Sequence, residues 1–183
     1  MKWLSVLLVL LVAGCGGIKA PPDHAGHEQH QPVVSDSAFN PTDLAWLQLM
    51  IPMDEQLLRV LELAARHTVD PELRKLAAGT ANDRRAELTR LKALRAKAKA
   101  PTANQHAGHD MPGMMTEPEI VALGNARGAA FDRLLARNLR EHVEQSIVVA
   151  QSIATAGEHP EVKSLAASIV ETRSTQLMLL PAK

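Results

Sequence analysis

The sequence predicts an all-α protein, a four-helix bundle assembled from two copies of one helical hairpin. Three observations carry that expectation. Hydrophobic residues make up 46% of the 183-residue chain but aromatic residues only 2%, so the core must be built from Leu, Ala, Val, Ile and Met, a palette that favours helix packed on helix over sheet. Apolar residues recur at helical spacing in four long stretches. The chain also repeats itself. Displaced by 89 residues without a gap, Asp43 falls on Asp132, Glu55-Gln56 on Glu144-Gln145, Pro71-Glu72 on Pro160-Glu161, Leu76-Ala77-Ala78 on Leu165-Ala166-Ala167, and Arg84 on Arg173, within 13 identities over the 49 positions from Asp43 to Leu91. Random matching in so Ala- and Leu-rich a chain would give roughly four. Two hairpins packed about a pseudo-twofold axis are the simplest structure with this property.

The elements follow in order. "MKWLSVLLVLLVAGC" places Lys2 before a continuous apolar stretch, then small residues before Cys15. The stretch is too short to span a bilayer and reads as an export signal over residues 1–14. Val12-Ala13-Gly14-Cys15 resembles a bacterial lipobox, which implies cleavage before Cys15 and lipidation of its thiol. Cys15 is the only cysteine, so lipidation would leave no thiol for a disulfide or a thiolate metal site. The mature protein is then expected in the cell envelope, anchored to a membrane on its extracytoplasmic side. Residues 15–39 are polar, contain Pro21, Pro22 and Pro32, and read as a tether.

Residues 40–180 carry the bundle, with repeat one at 40–100, a His/Met loop at 101–116 and repeat two at 117–180. Asn40-Pro41-Thr42-Asp43 is a helix start, with Asn40 as N-cap and Pro41 in the first turn. Its apolar face runs from Leu44 to Ala65, and Pro52 should kink it or free a carbonyl. Asp70-Pro71-Glu72 starts a second helix that Pro101 stops. Its Arg- and Lys-rich end, Arg84 to Lys99, reads as a solvated face whose last turn complements the helix dipole. Thr116 with Glu119 forms a capping box for a short helix. A long helix from about Ala129 to Ala156 and a last one from His159-Pro160-Glu161 complete repeat two.

Some functions are excluded by pattern. Lys and Arg number 20, as do Asp and Glu, so overall charge points to no nucleic-acid partner. A di-iron bundle needs Glu-x-x-His pairs, and no Glu here precedes His at that spacing. Phosphate loops, nucleophile elbows and His-Glu-x-x-His zinc motifs are missing as well, so catalysis is not expected.

Chemistry concentrates in "HAGHDMPGMM". His106, His109, Met111, Met114 and Met115 offer two imidazoles and three thioethers, and Pro112-Gly113 can turn the chain back on itself. Imidazole suits copper, zinc and nickel, whereas thioether selects Cu(I). "HAGH" also occurs at His24 to His27, with His30 following. These clusters read either as metal ligands or as linkers whose histidines are solubilising and whose methionines cap the bundle. Inside the bundle, Met53 falls on His142 under the 89-residue displacement, and Met50 shares the face of Met53. Met50, Met53 and His142 are therefore candidates for a buried site, with ordinary core packing as the other reading.

Phe131-Asp132-Arg133-Leu134, His142 and Glu144, His159-Pro160-Glu161-Val162 and Leu165-Ala166, with His109 to Met115 ahead of an acidic helix start, together resemble the ferritin-like domain-of-unknown-function family number 305. The resemblance covers roughly Asn40 to Leu180. It implies an exported helical bundle, and some members bind copper through Met and His. The family pattern has a Met three residues before adjacent histidines in each repeat. Here the corresponding residues are Met50 with Met53-Asp54, and Leu139 with His142-Val143. The expectation is a lipid-anchored protein that binds copper to sequester it or pass it on. The alternative is a non-catalytic bundle that acts through protein contacts, with metal ligation lost. The breadth of the apolar faces leaves room for a homodimer.

Overall fold

The computed structural model describes residues 39–181. The expected signal segment and, Phe39 apart, the tether lie outside the described residues, as do Cys15, His24, His27 and His30. Among the described residues there are five helices and no strand: α1 (Pro41–His67), α2 (Pro71–Lys97), α3 (Glu117–Asn125), α4 (Gly128–Ala156) and α5 (Pro160–Leu179). Helices α1 and α2 form one hairpin, α4 and α5 the other, and the hairpins meet where α1 packs on α4 and α2 on α5. This is the four-helix bundle of two repeated hairpins. The short α3 bridges α1 and α4. None of these helices is long and apolar enough to cross a membrane. Helix α1 runs on through Pro52 to His67, so the proline leaves the Gln48 carbonyl without its usual N–H but does not end the helix.

The repeat is visible in how the hairpins lock each other. The Asn40 side chain accepts from the Asp43 N–H at 2.8 Å, and Asp43 accepts from the Asn40 N–H at 3.0 Å, the reciprocal cap expected of this pair. Asp43 then reaches across the bundle to accept the N–H groups of Glu158 and His159, in the turn before α5. Its counterpart Asp132 accepts those of Val69 and Asp70, at the equivalent turn before α2. Each hairpin thus supplies a carboxylate to the other's turn, where free helix N–H groups favour negative charge. The approach of Asp43 is close enough to require Gly157, because a Cβ there would stand 2.8 Å from Asp43 Oδ1.

The reading of Arg84 to Lys99 as a solvated face is corrected at its first residue. Arg85, Arg90, Lys92 and Lys97 are exposed, but Arg84 is fully buried. It belongs to a charged layer that crosses the bundle. Arg173 Nη2 lies 2.9 Å from Asp54 Oδ1 and 2.9 Å from Glu87 Oε1. Arg84 pairs with Glu87 and donates to Gln176 Oε1 at 2.8 Å, and Gln176 donates to Asp83 at 2.9 Å. The layer separates two apolar clusters. On α1, Asp54 lies between Met53 of one and Leu57 of the other; on α2, Arg84 and Glu87 lie between Ala81 and Leu88; on α5, Arg173 and Gln176 lie between Ile169 and Leu180. Burial, then the neighbouring Glu87 carboxylate, push the Asp54 carboxyl well above the usual aspartate range, against the pull of the two arginines.

Removing one member of such a layer strands its partners in a dry core. Arg173→Met should lower unfolding free energy by about 3–5 kcal/mol. Asp54→Asn, which keeps a carbonyl oxygen where Asp54 Oδ1 accepts from Arg173, should cost less, about 1–2 kcal/mol. Urea denaturation of both variants checks this, and an Arg173→Met protein as stable as the parent would show that the layer holds nothing together.

Candidate functional site

The loop from Pro101 to Thr116 is not a free linker. Its hydrogen bonds resolve it into turns: a first from Asn104 to Ala107, with the Ala107 N–H donating to the Asn104 carbonyl at 3.4 Å, and two that begin at His106 and Met111. The His109 N–H donates to the His106 carbonyl at 3.1 Å, and the Met114 N–H to the Met111 carbonyl at 3.0 Å. In each of these two turns the third residue is a glycine in the left-handed region, Gly108 at φ +77° and Gly113 at φ +75°. That is the conformation a type II turn requires at its third position, and Pro112 occupies the second position that proline favours. The Asn104 side chain accepts from the His106 N–H at 2.9 Å and fixes the entry.

The turn that begins at Met111 is clamped onto the bundle. Gln56 on α1 accepts from the Met115 N–H and donates to the Met115 carbonyl, both at 2.7 Å. Three residues along, Arg59 makes a two-pronged pair with Glu117, at 2.7 and 2.9 Å, which holds the start of α3. Glu119 accepts from the Thr116 N–H and hydroxyl, as the Thr-x-x-Glu pattern predicts. From α4, the His142 Nδ1 stands 3.0 Å from the Gly113 carbonyl. Gly113 lies so close to α4 that a Cβ would come within 2.5 Å of Gln145 Cβ. Gln56 and Gln145 are the equivalent residues of the two repeats, and the loop lies against both, hydrogen-bonded to Gln56 and in close approach to Gln145.

This clamp settles the chemistry of His142. A carbonyl only accepts, so Nδ1 carries the proton and Nε2 keeps its lone pair. Nε2 is buried and has no hydrogen-bond partner among the described residues. Burial first, then the Arg173 and Arg84 guanidiniums, hold the imidazole well below its ordinary pKa, which keeps it neutral and able to ligate. Met50, Met53 and His142 are each buried. Met114 packs against the apolar cluster that contains Met50 and Met53, whereas Met115 packs against the other one. The loop therefore straddles the charged layer. Met111 is half-buried, as is His106, and His109 is exposed; the two rings meet edge-on with centroids 6.4 Å apart.

The five loop candidates are thus spread over two turns and the start of a third segment. No group of three or more His, Cys, Asp or Glu residues suited to a metal ion occurs among the described residues. Two surface cavities, one of about 600 Å³ between Leu73 and Arg137 and one of about 580 Å³ between Gly79 and Thr175, are lined by none of the candidate ligands. Sequence reasoning missed Gln56 as the residue that positions the loop, and missed the charged layer beneath it.

Fold and site define a helical-hairpin bundle with a clamped His/Met loop. The chain belongs to the family described as domain of unknown function DUF305, whose model matches residues 43–182. A DUF305 protein from Streptomyces coelicolor shares the fold, with a TM-score of 0.69 and 21% identity over 75% of this chain and 88% of that one. A DUF305 fragment from Deinococcus radiodurans gives 0.69 and 18%, over 78% and 94%. The protein CopM has been solved with Cu(I), at 0.64 and 24% over 76% and 92%, and with Cu(II), at 0.65 and 26% over 74% and 90%. Among curated proteins, none matches the sequence.

The depressed His142 predicts an acid-sensitive fold. The unfolded chain binds a proton near pH 6.5 that the folded chain refuses, so this contribution to stability is intact above about pH 6.5 and is lost as pH falls below it. His142→Asn keeps a donor for the Gly113 carbonyl and removes the titration. Its urea midpoint between pH 7.5 and 5 should fall less steeply than that of the parent.

Proposed function

We propose that this protein is a lipid-anchored, extracytoplasmic copper-binding protein that sequesters the ion or hands it on, without catalysing a reaction. One observation carries the reading. The Met-Pro-Gly-Met-Met segment is clamped onto the bundle beside an imidazole whose bare nitrogen is buried and unpartnered, and its Met114 shares an apolar cluster with Met50 and Met53. Three thioethers and a neutral imidazole are a donor set that suits Cu(I) and serves zinc poorly. Kinship with CopM, solved in Cu(I)-, Cu(II)- and silver-bound forms, supports the same class of ion. The soft site would comprise Met114 with Met50, Met53 and His142, with Met111 and Met115 at its margins. The Arg84 and Arg173 charges that depress His142 also oppose a cation beside it, and a monovalent ion suffers less from them than a divalent one. Cys15, as a lipidation site, would hold the domain at the membrane, with His24, His27 and His30 on the tether as further ligands.

A competitive titration with Cu(I) held by a chelator of known affinity, with Zn(II) in parallel, tests this. Tight Cu(I) binding and weak Zn(II) binding are expected, and Met53→Leu with Met114→Leu should weaken Cu(I) by at least about tenfold. Weak binding of both ions would sink the reading and favour action through protein contacts. For the anchor, Cys15→Ala should release the protein from the membrane fraction on cell fractionation.

A further inference from the structure

The loop sorts its ligands by turn. The turns that begin at His106 and Met111 share one backbone design, a hydrogen bond from the fourth residue back to the first and a left-handed glycine third. The corner residues are alike within each turn and unlike between them: His106 and His109 in one, Met111 and Met114 in the other. A β-turn brings its corners within about 7 Å, so each turn gathers a pair of donors of one kind. The two pairs also differ in surroundings. Met114 packs on the core, whereas His109 is exposed and neither histidine ring makes a hydrogen bond among the described residues. An imidazole centroid sits about 3 Å from an ion its nitrogen ligates, so two rings on one ion have centroids at most about 6 Å apart. The observed 6.4 Å lies just beyond that limit, and small rotations of the half-buried His106 and exposed His109 rings would close it.

We propose that the His106-Ala107-Gly108-His109 turn is a second metal site, separate from the thioether site, which takes a borderline divalent ion from solvent, Cu(II) ahead of Zn(II) and Ni(II). The proposal rests on the reading of the protein as copper-binding and adds a division of labour to it. Imidazole pairs hold Cu(II), thioethers select Cu(I), and among divalent ions Cu(II) binds nitrogen donors most tightly. With two protein ligands and water completing the coordination sphere, the site would bind modestly and exchange quickly. Gly108 has a specific part in it. A Cβ at Gly108 would meet no atom within 4 Å, but its φ of +77° is one that L side chains rarely adopt. A side chain there would disturb the turn without touching a ligand.

The test uses the full chain with His24, His27 and His30 replaced by Ala, so that the upstream histidines do not mask the turn. Cu(II) affinity is measured against a competing chelator, with electron paramagnetic resonance to count nitrogen ligands, and Cu(I) affinity is measured separately. His106→Ala with His109→Ala should weaken Cu(II) by at least about tenfold and leave Cu(I) unchanged. Met111→Leu with Met114→Leu should do the opposite. Gly108→Ala should weaken Cu(II) with both histidines present, and Gly108→Asn, which tolerates the left-handed region, should largely restore it. Unchanged Cu(II) affinity in the histidine variant, or equal loss of Cu(I) and Cu(II), would overturn the second site. In either case tight Cu(I) binding would leave the copper-binding reading standing. A parent protein that binds neither oxidation state would remove both.

Discussion

Two arginines in the middle of the bundle set the terms for everything around them. Arg84 and Arg173 are fully buried, and each needs acceptors that an apolar core does not provide. Asp54, Glu87 and Gln176 provide them from α1, α2 and α5 for part of each guanidinium, so register among these three helices is set by charge as well as by volume. The layer divides the apolar interior into two clusters, and the His/Met loop crosses the surface at that division, with Met114 on one side and Met115 on the other. His142 feels the same two guanidiniums and is kept neutral partly by them. The charge that organises the fold therefore also decides the protonation state of the imidazole beneath the loop.

The bundle was largely legible because its signals are local. Asn40, Asp70 and the Thr116–Glu119 pair mark helix starts through hydrogen bonds that span three residues or fewer, and such bonds depend on little beyond the adjacent sequence. The 89-residue repeat added the pairing of hairpins. It held more than was drawn from it. The match of Asp43 with Asp132 reflects two carboxylates exchanged across the pseudo-twofold axis, and that of Arg84 with Arg173 reflects the charged layer. Arg84 was misread because its neighbours in sequence are solvated, although Ala77, Ala81, Leu88 and Leu91 place it on the apolar stripe. A charge on such a stripe is interpretable only once its partners are known, and although Glu87 is three residues on, Gln176 lies 92 residues away on α5.

The loop was legible in composition but not in placement. His and Met at that density announce ligands, and Gly and Pro announce turns, yet neither indicates that Gln56 receives both backbone groups of Met115. A glutamine on a helix is among the least informative residues in a sequence. Here its side-chain amide matches a peptide group in donor and acceptor, which lets one side chain satisfy two backbone groups that would otherwise be lost as the loop closes over the helix.

That clamp bears on how the chain could lack the histidine pairs that the resemblance implies and still hold the proposed donor set. Where the pattern has adjacent histidines, the first repeat has Met53-Asp54 and the second His142-Val143. Asp54 has been drawn into the arginine layer, and Val143 into the apolar cluster beside it. One position of each pair thus serves the fold, while Met53 and His142 keep a sulfur and a nitrogen at equivalent points of the two repeats. With the loop fastened between Gln56 and His142, Met114 adds a third sulfur to the cluster holding Met50 and Met53. Against the pattern that the resemblance implies, Leu139 takes the place of one methionine and Met53 the place of one histidine, so the proposed interior site is richer in sulfur relative to nitrogen, a balance that suits softer, monovalent ions. On the proposed division of labour, His106 and His109 lie towards solvent, where a divalent ion would keep most of its water.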